Sequence, residues 1–532
     1  MAHLLPEGIG ARALAERLKP LGRARLEGSR TERITLLDSF DWRLHRAGWR
    51  LEAGEGPRPT LRLRPLGGGR PLITLRAPAP HRARDLPPGP LREALAPVLE
   101  PRTLLPLAVA EVTFTRLSVT PRGSTQPLRL SLESASVGPP GADPLLPLRP
   151  ALIVPQTPRA SRLSALVASW ADCVPAPADT VAAMLEPLGR VPRDYSGKVR
   201  VPLESGMPAR DAARALLLHL LGTLEANVPG ARADLDPEFL HDLRVAVRRT
   251  RSAIGQLKGV LPPATASRFG RAFAGLQELT GPARDLDVYT EELPALARLL
   301  PARSRRSLGP LARLLERRRR EAHARLVQAL GDPAFARLLA DWRAFLLRPT
   351  PRRPAGAPNA LRPAALVATE RIGRLVRRAR SEGKAITDAS PAADLHELRK
   401  TCKKLRYLTE FFQSLLDPEE AAAAVDTLKG LQDTLGRHQD LQVQADALLG
   451  YARELARAGK APPPAYLAMG MLIERLRDQQ AQARREFAER FAVFSDKSGR
   501  RRWKRLLADL KVAAATQAAR ETAVPPESEC RG

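Results

Sequence analysis

Two patterns of hydrophobic and polar residues divide the chain near residue 200. Before it, short apolar runs alternate with polar residues and end at Gly or Pro, which predicts antiparallel β-strands. The predicted strands are 60–64, 72–76, 111–119 and 128–132, and helices are predicted at 10–20 and 160–171. From about residue 208, apolar residues recur every three to four positions, which predicts α-helices. The chain is therefore predicted to be α+β, with a β-rich half before a helical half.

The helical half contains an internal duplication with a constant offset of 155 residues. The segment LHDLR at 240–244 returns as LHELR at 395–399, and GLQ at 275–277 returns at 430–432. A constant offset over so many positions is hard to obtain by chance and marks a structural repeat. Each repeat is predicted to hold four helices, which indicates two packed four-helix bundles. The last helix of each repeat is predicted at about 308–328 and 466–490.

Changes in composition set the predicted boundaries. A β domain at 1–200 precedes a helical domain at 208–510, and a flexible tail follows at 511–532. A Pro-rich linker is expected between the two repeats. The helical domain divides into repeat one at 208–346, the linker at 347–362 and repeat two at 363–510.

The charge of the chain narrows the class of partner. There are 86 Lys and Arg against 57 Asp and Glu, a net charge of +29, and 74 of the cations are Arg. Arg suits bidentate contact with phosphate, so an anionic partner is expected. A G+C-rich genome is the alternative source of the excess, because the chain is also rich in Ala, Gly and Pro. Both halves are basic, at +11 and +18, so the charge is not that of a single tail.

Other features exclude whole classes of protein. Cys173, Cys402 and Cys530 are far apart in sequence and match no zinc spacing or disulfide framework, which is typical of a reducing cytoplasm. The sequence shows no signal-peptide pattern and no apolar run of about 18 residues, so no membrane insertion is expected. Aromatic residues make up only 4%, which weakens the case for base stacking on single-stranded nucleic acid.

The duplicated helices each carry a line of basic residues. His241, Arg244, Arg248 and Arg251 fall within about 80° of one another on a helix, and the second copy repeats the line as His396, Arg399, Lys403 and Arg406. Like charges at i, i+3 and i+4 repel and cost helix stability. A linear polyanion along the line would relieve that repulsion, whereas the alternative is a solvated basic face.

The two His residues follow predicted helix starts. Asp236 before Pro237, and Ser390 before Pro391, are each predicted to be an N-cap followed by Pro at the first helical position. Contact with phosphate near the helix start, a structural role and a metal role are all open to these His residues. No second ligand lies at i+3 or i+4 of either His, so no metal site is predicted.

The duplicated motif LH[DE]LR, followed by two basic residues, GLQ and a G-x-x-x-D-L-x-V segment, resembles the conserved-histidine α-helical domain, CHAD. The resemblance covers about 208–510. It implies two pseudosymmetric four-helix bundles whose basic surface binds inorganic polyphosphate, and an association with polyphosphate granules. The positions expected to bind polyphosphate are His241, Arg244, Arg248, Arg249, Arg251, Arg374, Arg378, His396, Arg399, Lys400, Lys403, Lys404 and Arg406.

The first half resembles, in degenerate form, the CYTH or triphosphate tunnel domain. The residues that carry the resemblance are 37–51 and 72–78, and they imply an antiparallel β-tunnel, while 193–198 resembles the segment that joins the two domains in such proteins. The family's Glu-x-Glu-x-Lys strand is missing, because the region taken to correspond to it, 21–28, holds Glu27 alone. Other acidic residues on strands are expected only at Glu111 and Glu133.

A divalent metal that bridges a triphosphate needs several carboxylate oxygens, so metal-dependent hydrolysis is disfavoured. Four cations on strands, Arg62, Arg64, Arg76 and Arg116, are still expected to be able to bind phosphate. The predicted function is therefore non-enzymatic, cytoplasmic binding of polyphosphate, without catalytic residues, metal or cofactor. The alternatives are a metal-dependent triphosphatase of the tunnel class and a nucleic-acid-binding protein, and weak binding of nucleic acid is expected in any case.

Overall fold

The computed structural model of the protein describes residues 2–170, 172–204 and 206–523. The chain forms two compact units, residues 1–196 and residues 197–532. The first unit is built on one antiparallel sheet, and the second is helical. The predicted α+β class, with the sheet first and the helices after it, is confirmed.

The sheet contains all four strands that alternation predicts. Its order is β10-β1-β9-β7-β6-β2-β3-β4-β5, and β8 pairs with β7. The two longest strands, β2 and β6, pair from Gly22 opposite Pro121 to Asp38 opposite Leu105. The strands are β1 (Ala2–Leu4), β2 (Gly22–Asp38), β3 (Trp49–Gly54), β4 (Thr60–Pro65), β5 (Ile73–Arg76), β6 (Leu105–Pro121), β7 (Leu128–Gly138), β8 (Leu146–Pro147), β9 (Ala151–Ile153) and β10 (Val174–Pro175).

Short helices cover the sheet and enclose its apolar core. Leu14 of the first helix and Leu163 of the fourth pack in one cluster with Leu117 and Leu130 of the sheet. The predicted helices at 10–20 and 160–171 correspond to the first and fourth of these elements. The helices are α1 (Ala11–Leu18), α2 (Arg43–Arg46), α3 (Pro90–Leu99), α4 (Ser161–Ala168) and α5 (Thr180–Leu185).

The first strand of the sheet lies elsewhere than expected. Residues 21–28 were expected to be the opening strand, but residues 22–28 belong to the second strand, β2, and the first strand is Ala2–Leu4. A segment of three residues is too short to show alternation, which is why the pattern missed it. Ala2 and Leu4 contribute to the lining of the cavity of this unit.

Helices make up the second unit in two series that follow the sequence repeat. Repeat one contains α6 to α12 and repeat two contains α13 to α17. The predicted helices at 308–328 and 466–490 correspond to α11 and α16. The helices are α6 (Ala209–Arg232), α7 (Pro237–Gln256), α8 (Pro263–Leu279), α9 (Gly281–Ala297), α10 (Ala302–Arg305), α11 (Gly309–Gly331), α12 (Pro333–Leu347), α13 (Ala364–Ala385), α14 (Ala392–Phe411), α15 (Pro418–Arg457), α16 (Pro463–Ser495) and α17 (Lys497–Ala523).

Backbone hydrogen bonds join the two repeats at equivalent points. The Ala209 amide donates to the Arg362 carbonyl at 2.8 Å, and the Ala364 amide donates to the Met207 carbonyl at 2.9 Å. Each donor and each acceptor is 155 residues from its counterpart. Pro208 and Pro363 form an antiparallel bridge between these two bonds. The repeats are thus related by a local pseudo-twofold arrangement at the starts of α6 and α13.

One proline makes the two repeats differ. Repeat two has a single helix, α15, where repeat one has α8 and α9, separated at Thr280. Pro282 lies just after this break, and its equivalent in repeat two is Arg437. Proline lacks the amide hydrogen that the helix ladder needs and clashes with the preceding turn, which favours a break at this point.

Each repeat has more helices than the four predicted, seven in repeat one and five in repeat two within the described residues. In repeat one, α12 packs against α6, and in repeat two, α17 packs against α13. The flexible tail at 511–532 stays a prediction. Its first residues belong to α17, and residues 524–532 lie outside the described residues.

Gly383 provides a test of the packing between α13 and α16. A β-carbon at this position would lie 2.0 Å from Phe491 Cε2, so an alanine would force the two helices apart. We expect Gly383→Ala to lower the free energy of unfolding by about 1–3 kcal/mol. The matched control is Gly430→Ala within α15, where a β-carbon would meet open space and should be neutral or stabilising. Equal urea midpoints for both variants would contradict the described packing.

Candidate polyanion-binding site

The two helices that carry the duplicated His motif lie side by side. Helices α7 and α14 pack against each other, so the repeats bring their basic lines to one place. Arg248 and Lys403 hold equivalent positions in the repeats. They lie close enough that the positive charge of Arg248 helps to lower the pKa of Lys403. The junction of the two repeats therefore holds like charges from both.

The pKa of Lys403 is strongly lowered at this junction. Burial is the largest cause, and the neighbouring Arg399 and Arg248 add to it, so that its pKa falls to about 8. Arg406 acts in the same direction, while Asp440 opposes it. An ammonium group in such a place is held against both desolvation and repulsion. It would gain from any anion that came within contact distance.

The Arg of each His motif donates hydrogen bonds to the end or the side of the next helix in its own repeat. Arg244 donates to the Gln277 carbonyl at 2.7 Å and to Thr280 Oγ1 at 2.8 Å, where α8 ends. Arg399 donates to Asp440 Oδ1 at 3.1 Å. Both guanidinium groups lie over a glycine, Gly281 or Gly436 respectively. The repeated glycine therefore has a role: it gives the motif Arg room to lie on the helix.

Arg244 remains positively charged in this setting. Burial and, to a smaller extent, the nearby Arg248 lower its pKa to about 10, while Asp285 acts in the opposite direction. The group donates hydrogen bonds without an ion pair to any described carboxylate. Its charge is therefore left for a ligand.

Glu410 forms ion pairs with two of the residues that were expected to bind polyphosphate. Its carboxylate accepts from Arg249 Nη2 at 2.9 Å and lies 3.6 Å from Arg406 Nε. Both guanidinium groups also lie over the Tyr407 ring, at 5.6 and 5.4 Å from its centroid. Arg249 donates in addition to the Gly197 carbonyl at 2.8 Å. Arg249 and Arg406 are thus built into the structure, and Glu410 offsets one of their two positive charges.

Several other expected residues also have partners. Lys400 forms an ion pair with Glu397, and Arg378 with Glu382. Arg251 donates to Gln277 Oε1 at 2.6 Å, and His396 Nδ1 lies 3.0 Å from Gln439 Oε1. His241 is half-buried on α7, and Arg374 is exposed on α13. Within this group, Arg251 and Arg374 keep an exposed charge without an ion pair among the described residues.

The structure thus selects a smaller set from the residues that the sequence predicted. We call this set the central cationic surface, defined by residues of both His helices that form no ion pair with a described carboxylate. Its members are Arg244, Arg248, Arg251, Lys403 and Lys404.

Acidic residues border this surface on α9 and α15. Asp285 is exposed near Arg244, and partial desolvation raises its pKa although Arg244 and Arg284 act against the rise. The Tyr289 ring meets the Tyr451 ring edge to face at 6.1 Å, and burial raises the pKa of Tyr289. A polyanion would be repelled on this side, so the acidic border limits where one can lie.

The helix starts agree with prediction in one repeat only. Asp236 caps α7, accepting from the Glu238 amide at 2.9 Å and the Phe239 amide at 3.3 Å. In repeat two, Pro391 holds the N-cap position and no side chain caps the helix. The predicted cap, Ser390, is wrong, because its hydroxyl accepts instead from the Thr387 amide at 3.0 Å.

Sequence reasoning missed Glu410 and Arg284. Arg284 donates to the Pro237 carbonyl at 3.2 Å, at the start of α7. Glu410 is equivalent to Gly255 in repeat one, so the duplication itself carried the signal. The informative comparison was between positions where the repeats differ, since only repeat two places a carboxylate there.

The first unit contains a separate cavity of about 670 Å³ within the residues of its sheet domain. Five carboxylates of the described residues line it, Glu7, Glu32, Glu52, Glu133 and Glu186, and three of them lie on strands: Glu32, Glu52 and Glu133. The expectation of strand carboxylates only at Glu111 and Glu133 is therefore wrong. Glu32 and Glu52 were missed because they lie among arginines, on strands whose alternation was not recognised.

Two of the carboxylates of this cavity form ion pairs with arginines. Arg62 Nη2 lies 2.7 Å from Glu32 Oε2, and Arg64 Nε lies 3.0 Å from Glu52 Oε2. Arg50 forms a second ion pair with Glu52. Among the described residues, no group of three His, Cys, Asp or Glu side chains is placed to hold a metal ion. These residues do not fit the divalent metal of a tunnel triphosphatase, because their carboxylates are paired with arginines.

In the described part of the chain, no helix combines the length and apolar character that a membrane span requires.

Comparisons with known proteins concern the helical unit. The family model for the CHAD domain matches residues 215–449. A CHAD domain structure from the plant Ricinus communis is 26% identical, with a TM-score of 0.47, covering 56% of this chain and 96% of that one. PptA from Streptomyces chartreusis is 24% identical, with a TM-score of 0.41, covering 54% and 99%. The comparison with curated proteins gave no match. The match of the family model, together with the duplicated helices, shows that the chain contains a CHAD domain.

Proposed function

We propose that the helical unit binds inorganic polyphosphate at the central cationic surface, without catalysing a reaction. The observation that carries the proposal is the junction of Arg248 and Lys403. Two equivalent cations meet there, and neither forms an ion pair with a described carboxylate. The arrangement costs folding energy through repulsion and desolvation, and a bound anion would recover that cost.

The shape of the surface favours a linear chain of phosphates. The line from His241 to Arg251 extends for about 15 Å along α7, at 1.5 Å for each residue. The equivalent line on α14 lies beside it. A polyphosphate presents one charge after another, so it can satisfy several of these cations in turn and release counterions. We further expect such a protein to associate with cytoplasmic polyphosphate granules.

The competing partner is nucleic acid, which also carries a phosphate chain. Base recognition commonly uses aromatic stacking or groove contacts. The aromatic residues nearest the central cationic surface are already engaged: Tyr407 lies under Arg249 and Arg406, and Tyr289 packs against Tyr451. Recognition by charge alone therefore suits polyphosphate better than a nucleic acid.

A competition experiment tests the proposed function. We expect polyphosphate to displace labelled duplex DNA from the full chain at physiological salt, with both competitors at equal phosphate concentration. The affinity for polyphosphate should fall steeply with salt, as a straight line of log affinity against log salt concentration. If DNA binds more tightly than polyphosphate in this assay, the proposed function is wrong.

A further inference from the structure

A second basic surface lies on helix α17, after the residues that the CHAD model matches. The exposed residues Lys497, Arg500, Arg501, Lys504 and Lys511 recur at helical spacing. At 100° for each residue they fall within about 100° of one another, and they extend for about 21 Å. We call these five residues the outer cationic stripe.

The face of α17 opposite the outer cationic stripe is used in packing. Trp503, Leu506 and Leu510 are buried, on the face opposite the outer cationic stripe. Leu507 contacts α13 at Gly373, and the guanidinium of Arg377 also approaches that glycine. The outer cationic stripe is thus fixed beside α13, whose Arg374 and Arg377 are exposed as well. A rigid helix holds the cations in line before any ligand arrives.

Carboxylates are present around α17, but they serve other arginines. Arg502 Nε lies 3.3 Å from Glu420 Oε2, and Arg505 pairs with the same carboxylate. The members of the outer cationic stripe form no ion pair among the described residues, and Arg500 donates only to the Asp496 carbonyl, at 3.2 Å. Helix α17 therefore carries cations with ion pairs on one face and cations without ion pairs on another.

The contrast with another Arg-rich helix argues against a composition effect. Four consecutive arginines occur in α11, at 317–320, and each forms an ion pair. Their partners are Glu454 for the first two, Asp287 for the third and Glu316 for the fourth. The chain can therefore neutralise a dense run of arginines. The outer cationic stripe is a place where it does not.

From these contacts we propose that the outer cationic stripe is a second polyphosphate-binding surface, which adds affinity for long chains. The inference rests on the proposed function. The apolar face of α17 is buried, so the helix cannot insert into a membrane by that face. Trp503, the aromatic residue of the stripe's own helix, is also buried and cannot stack on bases. What remains is recognition of a chain by its charge.

The test compares two pairs of substitutions on one helix. Arg501→Gln with Lys504→Gln removes two charges from the outer cationic stripe, and Arg502→Gln with Arg505→Gln removes two that face Glu420. We expect the first pair to weaken binding of long polyphosphate at low salt roughly tenfold and to lower the salt slope by about one to two. The second pair should change affinity less than threefold.

Ligand length and background separate the possible failures. Binding of a short chain of about five phosphates should be nearly unchanged in the first pair, because the central cationic surface remains. If both pairs bind long chains like the unaltered protein, the outer stripe is only a solvated face and the inference is wrong, while the proposed function stands. If the first pair loses only affinity for duplex DNA, the partner of this stripe is nucleic acid, and the inference is again overturned.

Discussion

Reversing the charges of Arg248 and Lys403 together should reduce the affinity of the full chain for polyphosphate at least about a hundredfold. Each substitution by Glu removes an attraction and adds a repulsion, at the point where the two repeats meet. The slope of log affinity against log salt concentration should fall by roughly two, since two phosphate contacts are lost. Binding can be measured by polarisation of labelled polyphosphate across a salt series.

The control carries the same change of charge at other exposed positions. Arg337 and Lys460 lie one in each repeat and form no ion pair among the described residues. Arg337→Glu with Lys460→Glu should alter affinity only a few-fold, through the overall field. The thermal midpoint of the Arg248 and Lys403 variant should change little, because the two new carboxylates repel each other but face Arg244, Arg399 and Arg406. Equal binding by both double variants would show that the junction is not the site.

The helical repeats are predictable from sequence because their register is a local property. The offset of 155 residues, together with helical periodicity, is enough to place α6, α7, α13 and α14 along the chain. The short strands β1, β8, β9 and β10 have two or three residues each, so no alternation could reveal them. Their places are set by pairing with longer strands, which is a tertiary effect.

The composition of the basic line was predictable, but its effective charge was not. Helical periodicity alone put Arg244, Arg248 and Arg251 on one face. The carboxylates that neutralise other members lie far along the chain, as Glu410 does from Arg249 across 161 residues. Only the fold shows which cations are matched by such partners. Sequence reasoning therefore predicted a larger site than the electrostatics support.

The two repeats place different net charges on the two sides of the junction. Glu410 faces Arg249 and Arg406, whereas the equivalent position in repeat one is Gly255. Lys404 is the equivalent of Arg249 and forms no ion pair among the described residues, although it lies near Glu397 and helps to lower the pKa of that carboxyl. A chain of phosphates crossing the pseudo-twofold junction thus meets more net charge on the side of Lys404 and Arg251. The two repeats have similar basic residues here, and Glu410 in place of an equivalent of Gly255 makes their charges differ.

The affinity for polyphosphate should fall as pH rises from about 8 to about 10. In the free protein the pKa of Lys403 is about 8, because the ammonium group is buried and faces Arg248 from α7 and Arg399 and Arg406 from α14, with Asp440 of α15 only partly compensating. A bound phosphate chain adds negative charge and returns the pKa towards the ordinary value of about 10.4. Between these two values the complex holds more protons than the free protein, so affinity drops by up to tenfold for each pH unit.

Substitution by arginine tests whether Lys403 is responsible. Lys403→Arg keeps the charge at this position throughout the series, so its affinity should stay flat between pH 8 and pH 9, below the pKa of about 10 of Arg244, while Lys404→Arg should retain the decline. The stability of the free protein gives an independent test, because its dependence on pH has the opposite sign to that of the affinity. The folded-state pKa of Lys403 lies below its unfolded value, so its contribution to the free energy of unfolding increases as pH rises through the same window. Burial of Cys402 raises its pKa to about 12 and gives the reverse trend, so the contribution of Lys403 must be taken as the difference between the unaltered protein and Lys403→Arg. A decline in affinity that persists in Lys403→Arg would place the titrating group elsewhere and remove Lys403 from the binding surface.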